Sequence, residues 1–391
     1  MPPLIFRKGL DLKHEVADVL AASYHSELVT SIKHAGYRFA AGRITIHLAR
    51  EFGFCYGVDR AVDYAYQARK KFPDRPVHLT GEIIHNPHVN NELRAQGIQF
   101  LSDPGASLDS LTANDVVILP AFGITIEQLQ LLDTRGCTLV DTTCGSVLNV
   151  WKNVRRYADE GFTSIIHGKY RHEETQATAS QARRDGRGHF LVVLDRSEAL
   201  RVCDYIRHGG NREAFLTAFR HAASPDFDPD VHLAQIGCAN QTTMLSSESL
   251  EIGNLFRDAM RDRYGELELG SRFRAFDTIC SATQDRQDAI LALLDQQAMD
   301  LMIVIGGYNS SNTQNLARIC ASRLPTYHVA EPGCLRSATA IAHRPVGNSA
   351  EIEEPDWLPR GPVSIGLTSG ASTPDNIVEQ VIRRLEVLAN G

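Results

Sequence analysis

Short apolar runs alternate with helix-period segments along most of the chain. Runs at 116–119 (VVIL), 163–166 (TSII), 191–194 (LVVL), 301–305 (LMIVI) and 363–367 (VSIGL) have the length and β-branched content of buried strands. Between them, 58–70, 147–159, 285–299, 312–322 and 375–389 carry apolar residues at helical spacing. Strands interleaved with helices predict βαβ units and mostly parallel sheets. Residues 1–45 read as a polar, helical extension. Residues 181–230, with the pieces RRDGRGH and ASPDFDPD, read as an insertion or a large surface excursion.

A weak internal repeat overlies this pattern. FGFCYGVDRAVDYAY around Cys55, VDTTCGSVLNVWKNV around Cys144 and FDTICSATQDRQDAI around Cys280 share one plan: a Cys, small residues, then an amphipathic helix. The last two also share Asp-Thr-x-Cys. Each Cys is expected where a strand ends and a helix begins, so the positive end of the helix dipole favours a thiolate. Ligand sites of α/β sheets lie at these carboxyl ends of strands. The expected fold is therefore three similar α/β domains with mostly parallel sheets, each offering one thiolate to a common centre. The boundaries are 1–45 for the extension, then 46–143, 144–276 and 277–391 for the three domains. Buried core cysteines remain the plain alternative at these positions.

Composition narrows the function. A net charge of −7 over 391 residues argues against general nucleic-acid binding, which needs a basic surface. No apolar run reaches the ~18 residues that cross a bilayer, and the N-terminal stretch carries Asp11, Glu15 and Asp18, unlike a transit peptide. A cytoplasmic protein is expected. Eight cysteines without any CxxC pair do not make a disulfide framework at this length. Cys137, Cys203, Cys238, Cys320 and Cys334 are assigned to incidental or buried thiols, with Cys238, beside the ANQTT string, placed to line a pocket without ligating.

Three thiolates leave one position open, on a tetrahedral zinc or on one iron of a [4Fe–4S] cluster, and the spacing does not choose between them. Two strand–turn–helix junctions, Tyr308-Asn309-Ser310-Ser311-Asn312 and Ala371-Ser372-Thr373-Pro374, offer backbone N–H groups and hydroxyls to an anion. Ordinary helix capping explains the same residues. No GxxxxGK[ST] or GxGxxG string is present, so a nucleotide is not the obvious anion. His85 in GEIIHNPHV, His172 before Glu173 and Glu174, and Gln241-Thr242-Thr243 are candidates for ligand binding and proton delivery, against capping or structural roles.

Nine motifs in one order carry a family resemblance: FGFCYGVDRAV, GEIIHNPHV, VVILPAFG, VDTTCGSV, IIHGKYRHEET, ANQTTM, FDTICSATQDRQ, IGGYNSSNTQNL and LTSGASTPDNIV. Together they resemble the LytB (IspH) family of 4-hydroxy-3-methylbut-2-enyl diphosphate reductases, in wording closest to its plant and cyanobacterial branch. The resemblance implies a [4Fe–4S] cluster on Cys55, Cys144 and Cys280 with one open iron. It implies diphosphate binding by His85, His172, Ser310, Ser311, Asn312 and Ser372, and a proton relay through Glu174 with Thr242 beside it near the substrate alcohol. Thr283 falls in the same pocket region. The reaction implied is reductive dehydroxylation to isopentenyl or dimethylallyl diphosphate, with ferredoxin, or else flavodoxin, as electron donor. Two departures stand out: Phe122 occupies a turn where shorter bacterial forms carry His, and Gly145 follows Cys144 where Pro is usual. A cluster-bearing dehydratase of the quinolinate synthase kind and a cluster-based sensor are the other readings; a diphosphate pocket and the His-Glu-Glu string speak against both.

Overall fold

The computed structural model describes residues 4–183, 186, 188–276 and 278–390. The chain falls into two compact units, one built from Pro104–Cys280 with the first five residues, the other from Phe6–Asp103 and Ser281–Gly391. Both are α/β with mostly parallel strands.

The second unit shows how the apolar runs become a sheet. Its five strands lie in the order Thr326–Val329, Leu301–Ile305, Val363–Ser369, Ile44–Leu48 and Arg38–Ala41, all parallel except the last, which runs antiparallel. Side chains alternate across a strand, so the continuous run LMIVI must be covered on both faces. Leu301, Ile303 and Ile305 pack with Val378, Ile382 and Leu385 of the helix Asp375–Asn390. Met302 and Val304 pack on the other side with Ile290 of Ser281–Gln296 and Leu316 of Ser311–Ala321. A short parallel pair, Val77–Leu79 with Gln99–Phe100, and an antiparallel hairpin, Ala340–His343 with Ile352–Pro355, complete the unit's strands among the described residues.

In the first unit, four parallel strands lie in the order Phe273–Ala275, Ile236–Asn240, Thr163–His167 and Phe190–Val193. Val116–Leu119 and Thr138–Asp141 form a second parallel pairing.

Three regions differ from the sequence expectation. Among the described residues of 1–45, helix is confined to Lys13–Tyr24 and Glu27–His34; residues 38–41 form the antiparallel edge strand, and the next strand begins at Ile44. Much of the described part of residues 181–230 is core rather than surface excursion. Phe190–Val193, the helix Arg196–His208 and the buried rings of Phe215, Phe219 and Phe227 build a core with Ile236 and Phe256. The helix expected over 285–299 runs instead over Ser281–Gln296, starting directly after Cys280. No helix of the described residues is long and apolar enough to cross a membrane.

Candidate active site

The eight thiols divide sharply by environment. Cys137, Cys203, Cys238, Cys320 and Cys334 are buried, whereas Cys55, Cys144 and Cys280 are half-buried and none is in a disulfide. Burial pushes the Cys203 and Cys320 thiols up to about 12 and raises Cys238 as well. Desolvation penalises the charged form, so these three are inert at neutral pH. Cys238 packs in the core with Val202 and Cys203, so it belongs to the interior rather than to a pocket wall.

The three half-buried cysteines share one backbone construction. Each lies at a strand-to-helix junction, with Cys55 and Cys144 as the N-cap residues of Tyr56–Lys71 and Gly145–Asp159. The Cys144 N–H donates to the carbonyl of Ala121 (2.8 Å), that of Cys280 to Thr242 (3.2 Å) and that of Cys55 to Ala371 (3.1 Å). In every case the acceptor stands two residues beyond the end of the neighbouring parallel strand: Val116–Leu119, Ile236–Asn240 and Val363–Ser369.

A second tether sits two residues before each Cys. The Thr142 hydroxyl donates to the Leu119 carbonyl at 2.6 Å. The Thr278 hydroxyl accepts from the Asn240 N–H at 2.7 Å and lies 3.3 Å from the Asn240 carbonyl. Before Cys55 the roles reverse, and the Gly53 N–H donates to the Ser369 hydroxyl at 3.0 Å. Gly53 is required there: its φ is +83°, and a Cβ would lie 2.6 Å from the Asp375 carboxylate. The Arg286 guanidinium also holds the Gly53 carbonyl, at 2.7 Å. Asp277, which opens the second Asp-Thr-x-Cys string, lies outside the described residues.

In the second unit a chain of hydrogen bonds gathers the expected anion ligands around Cys55. Ala371, whose carbonyl holds the Cys55 N–H, donates its own N–H to the Asn312 side-chain oxygen at 2.9 Å. The Ser372 hydroxyl donates to the His85 carbonyl (3.3 Å), and the Asn86 amide donates to the Ser372 carbonyl (2.7 Å). Ser310 caps the helix Ser311–Ala321, accepting from the Thr313 N–H. Ser310, Ser311, Asn312 and Ser372 are all buried, and the buried Asn312 Nδ2 has no hydrogen-bond partner among the described residues. Buried donors are normally satisfied, and this one stands beside a helix N-terminus, a place that can receive an anion. His85 Nδ1 lies 2.8 Å from Glu82, which fixes its ring. Thr283 is buried in the first turn of Ser281–Gln296.

In the first unit Thr242 joins two functional groups through one residue. Its N–H donates to Glu174 Oε1 at 2.6 Å, and its carbonyl receives the Cys280 N–H. Glu174 is 3% exposed, in the first turn of Glu173–Ala182. His172 caps that helix by accepting the Glu174 N–H at 3.2 Å. Phe122, in the turn where the family resemblance leads one to expect His, packs edge-on against the His172 ring at 6.0 Å. It donates nothing, but it orients the neighbouring imidazole. Gln241 links the loops, accepting from the Lys169 N–H and the Thr175 hydroxyl and donating to Thr243.

Sequence reasoning missed Thr142, Thr278, Ser369, Asn86 and Arg286. The shared Thr of Asp-Thr-x-Cys was a signal for the first two, and Asn86-Pro87 is a helix start; Arg286 carried none.

The LytB protein family model matches residues 46–386. A 4-hydroxy-3-methylbut-2-enyl diphosphate reductase of Synechococcus sp. (strain RCC307) is 51% identical over 386 residues, covering 98% of this chain and 93% of that protein. One of Gloeobacter violaceus, of the same name, is 49% identical over 387 residues, covering 97% and 91%. A solved (E)-4-hydroxy-3-methyl-but-2-enyl diphosphate reductase, described as the terminal enzyme of the non-mevalonate pathway, matches 88% of this chain and 99% of its own at 27% identity, with a TM-score of 0.53. The Plasmodium falciparum E-1-hydroxy-2-methyl-but-2-enyl-4-diphosphate reductase, at 21% identity and a TM-score of 0.61 over 86% of each chain, shares the fold. By the extent of these matches, the chain belongs to the LytB family.

Proposed function

We propose that the chain is a 4-hydroxy-3-methylbut-2-enyl diphosphate reductase, the last step of the non-mevalonate isoprenoid route. It takes up two electrons and two protons, and gives water with isopentenyl or dimethylallyl diphosphate. The observation that carries this reading is the near-complete alignment, at about half identity, with reductases of that name. The residues fit the chemistry. Three half-buried thiols on a repeated backbone cradle suit the soft thiolate ligation of iron–sulfur clusters, and the five buried thiols do not.

Bound through Cys55, Cys144 and Cys280, a [4Fe–4S] cluster with one iron free of protein ligands supplies electrons and a Lewis acid for the substrate oxygen. The protein does the rest. Ser310, Ser311, Asn312, Ser372, His85 and His172 hold the diphosphate, chiefly with neutral donors, which suits an acidic chain that recognises one small anion. Glu174 holds a proton at the carboxyl oxygen that the Thr242 N–H does not occupy, and passes it to the departing hydroxyl. Thr242 positions that carboxyl, and Thr283 lies in the same pocket region. The repeated cradle supports a division into three α/β domains. The donor is a one-electron carrier, a ferredoxin or a flavodoxin, and the enzyme works in the cytoplasm.

Glu174→Gln tests the assignment because it keeps an oxygen to accept the Thr242 N–H and removes the acid. Iron and sulfide content should be unchanged while kcat falls by about 10²–10⁴-fold, the usual worth of a positioned general acid. A kcat matching that of the unsubstituted enzyme would remove Glu174 from the proton path.

A further inference from the structure

Behind the anion loop of the second unit lies a group of side chains with no part in the reaction described above. The loop runs from Gly306 to Ser310, between the strand Leu301–Ile305 and the helix Ser311–Ala321. Arg344, directly after the hairpin strand Ala340–His343, donates from Nη2 to the Tyr308 carbonyl, and its guanidinium lies over the Tyr308 ring, 4.9 Å from the centroid. The Gln314 amide donates to the same carbonyl at 2.5 Å. The Tyr308 hydroxyl donates to Glu351, at the start of the returning hairpin strand, at 2.6 Å. His328 Nε2 lies 3.0 Å from the Gly306 carbonyl, and its ring meets that of Tyr308 edge-on at 5.0 Å. A carbonyl only accepts, so this nitrogen carries the proton.

These contacts fix the direction of donors on the far side of each peptide. All peptide bonds of the loop are trans, and in a planar trans peptide the N–H points opposite to the C=O. Pinning the Tyr308 oxygen to Arg344 turns the Asn309 N–H away from the hairpin. Pinning the Gly306 oxygen to His328 turns the Gly307 N–H away from the strand Thr326–Val329. The next residues in the chain are Ser310, Ser311 and Asn312, the proposed diphosphate ligands.

We propose that Arg344 is a positioning residue for diphosphate binding, acting through the Tyr308 carbonyl to aim the backbone donors of the anion loop. The inference rests on the reading of this loop as the diphosphate site. Arg344 touches the loop from behind and serves substrate and transition state alike, so its loss raises KM and leaves kcat nearly unchanged.

The test uses the anaerobic holoenzyme with a one-electron chemical reductant, and compares Arg344→Met, Arg344→Lys and Asn312→Ala. Arg344→Met should raise KM roughly tenfold, the loss expected for one charge-assisted hydrogen bond. It should weaken inhibition by inorganic diphosphate by the same factor. Arg344→Lys should recover part of both. If Asn312→Ala raises KM while Arg344→Met lowers only thermal stability, the inference is wrong and the diphosphate reading stands. If neither substitution moves KM or diphosphate inhibition, the loop is not the diphosphate site and both fall. Should Arg344→Met fail to accumulate folded, Gln314→Ala removes the other donor to the same carbonyl and is judged by the same criteria.

Discussion

The cradle around the cysteines makes an unequal prediction for two threonines that look equivalent in sequence. Thr142 and Thr278 each precede a proposed ligand by two residues within Asp-Thr-x-Cys. The Thr278 hydroxyl is the acceptor for the Asn240 N–H, in a residue only 8% exposed. Thr278→Val therefore strands a buried donor, at a cost of about 1–3 kcal/mol. The Thr142 hydroxyl only donates, to the Leu119 carbonyl, and that carbonyl also receives the Thr142 N–H at 3.3 Å. Thr142→Val leaves no orphan and costs about 0.5–1.5 kcal/mol. For a unit of this size each kcal/mol is worth roughly 2–4 °C. Taking about 2 and about 1 kcal/mol, Thr278→Val should melt roughly 4–8 °C lower and Thr142→Val roughly 2–4 °C lower, in parallel scans of the holoenzyme. Iron release at a fixed temperature should follow the same order, because Thr278 anchors the turn that presents Cys280. Equal shifts, or a larger one at Thr142, would refute the hydrogen-bond assignment.

Other predictions concern titration and ligation. Replacing Cys55, Cys144 or Cys280 by Ser should lower iron and sulfide content per chain, whereas Cys203→Ala and Cys320→Ala should leave it unchanged; analysis of the purified variants decides. With thiols at about 12, Cys203 and Cys320 should resist alkylation in the folded protein up to about pH 9, as peptide mapping after labelling would show. Burial lowers His328 from its ordinary value to about 4. The unfolded chain then binds the proton first as pH falls, so stability is complete above about 6.5 and is lost toward pH 4, by on the order of 3 kcal/mol. Denaturation midpoints at pH 7 and pH 5 should differ by less in His328→Gln.

Much of this was legible in the chain because it is local. A Cys followed by small residues and an amphipathic helix names a strand-to-helix junction wherever it occurs, and all three junctions form. Ser310 was legible as a helix cap for the same reason. What stayed hidden depends on which strands become neighbours. The carbonyl two residues beyond a neighbouring strand holds each Cys N–H, and Ala371 lies more than three hundred residues from Cys55. No local pattern encodes that pairing. Arg38–Ala41 lies inside the extension read as helical, and Ile44–Leu48 straddles its boundary at residue 45, because short strands of mild alternation do not stand out beside two helices. Residues 181–230 looked like surface because of their Gly and Pro pieces, while Phe215, Phe219 and Phe227, spaced to share one core, carried the real signal. Arg344 and Arg286 act on backbone carbonyls of distant loops, a role any exposed-looking arginine could fill.

The most direct test is anaerobic turnover of the purified, cluster-loaded enzyme with a strong one-electron reductant and 4-hydroxy-3-methylbut-2-enyl diphosphate, with products resolved by chromatography. Isopentenyl and dimethylallyl diphosphate should appear, with two electrons consumed per product. No product from a preparation whose iron and sulfide match one intact cluster per chain would contradict the proposed function.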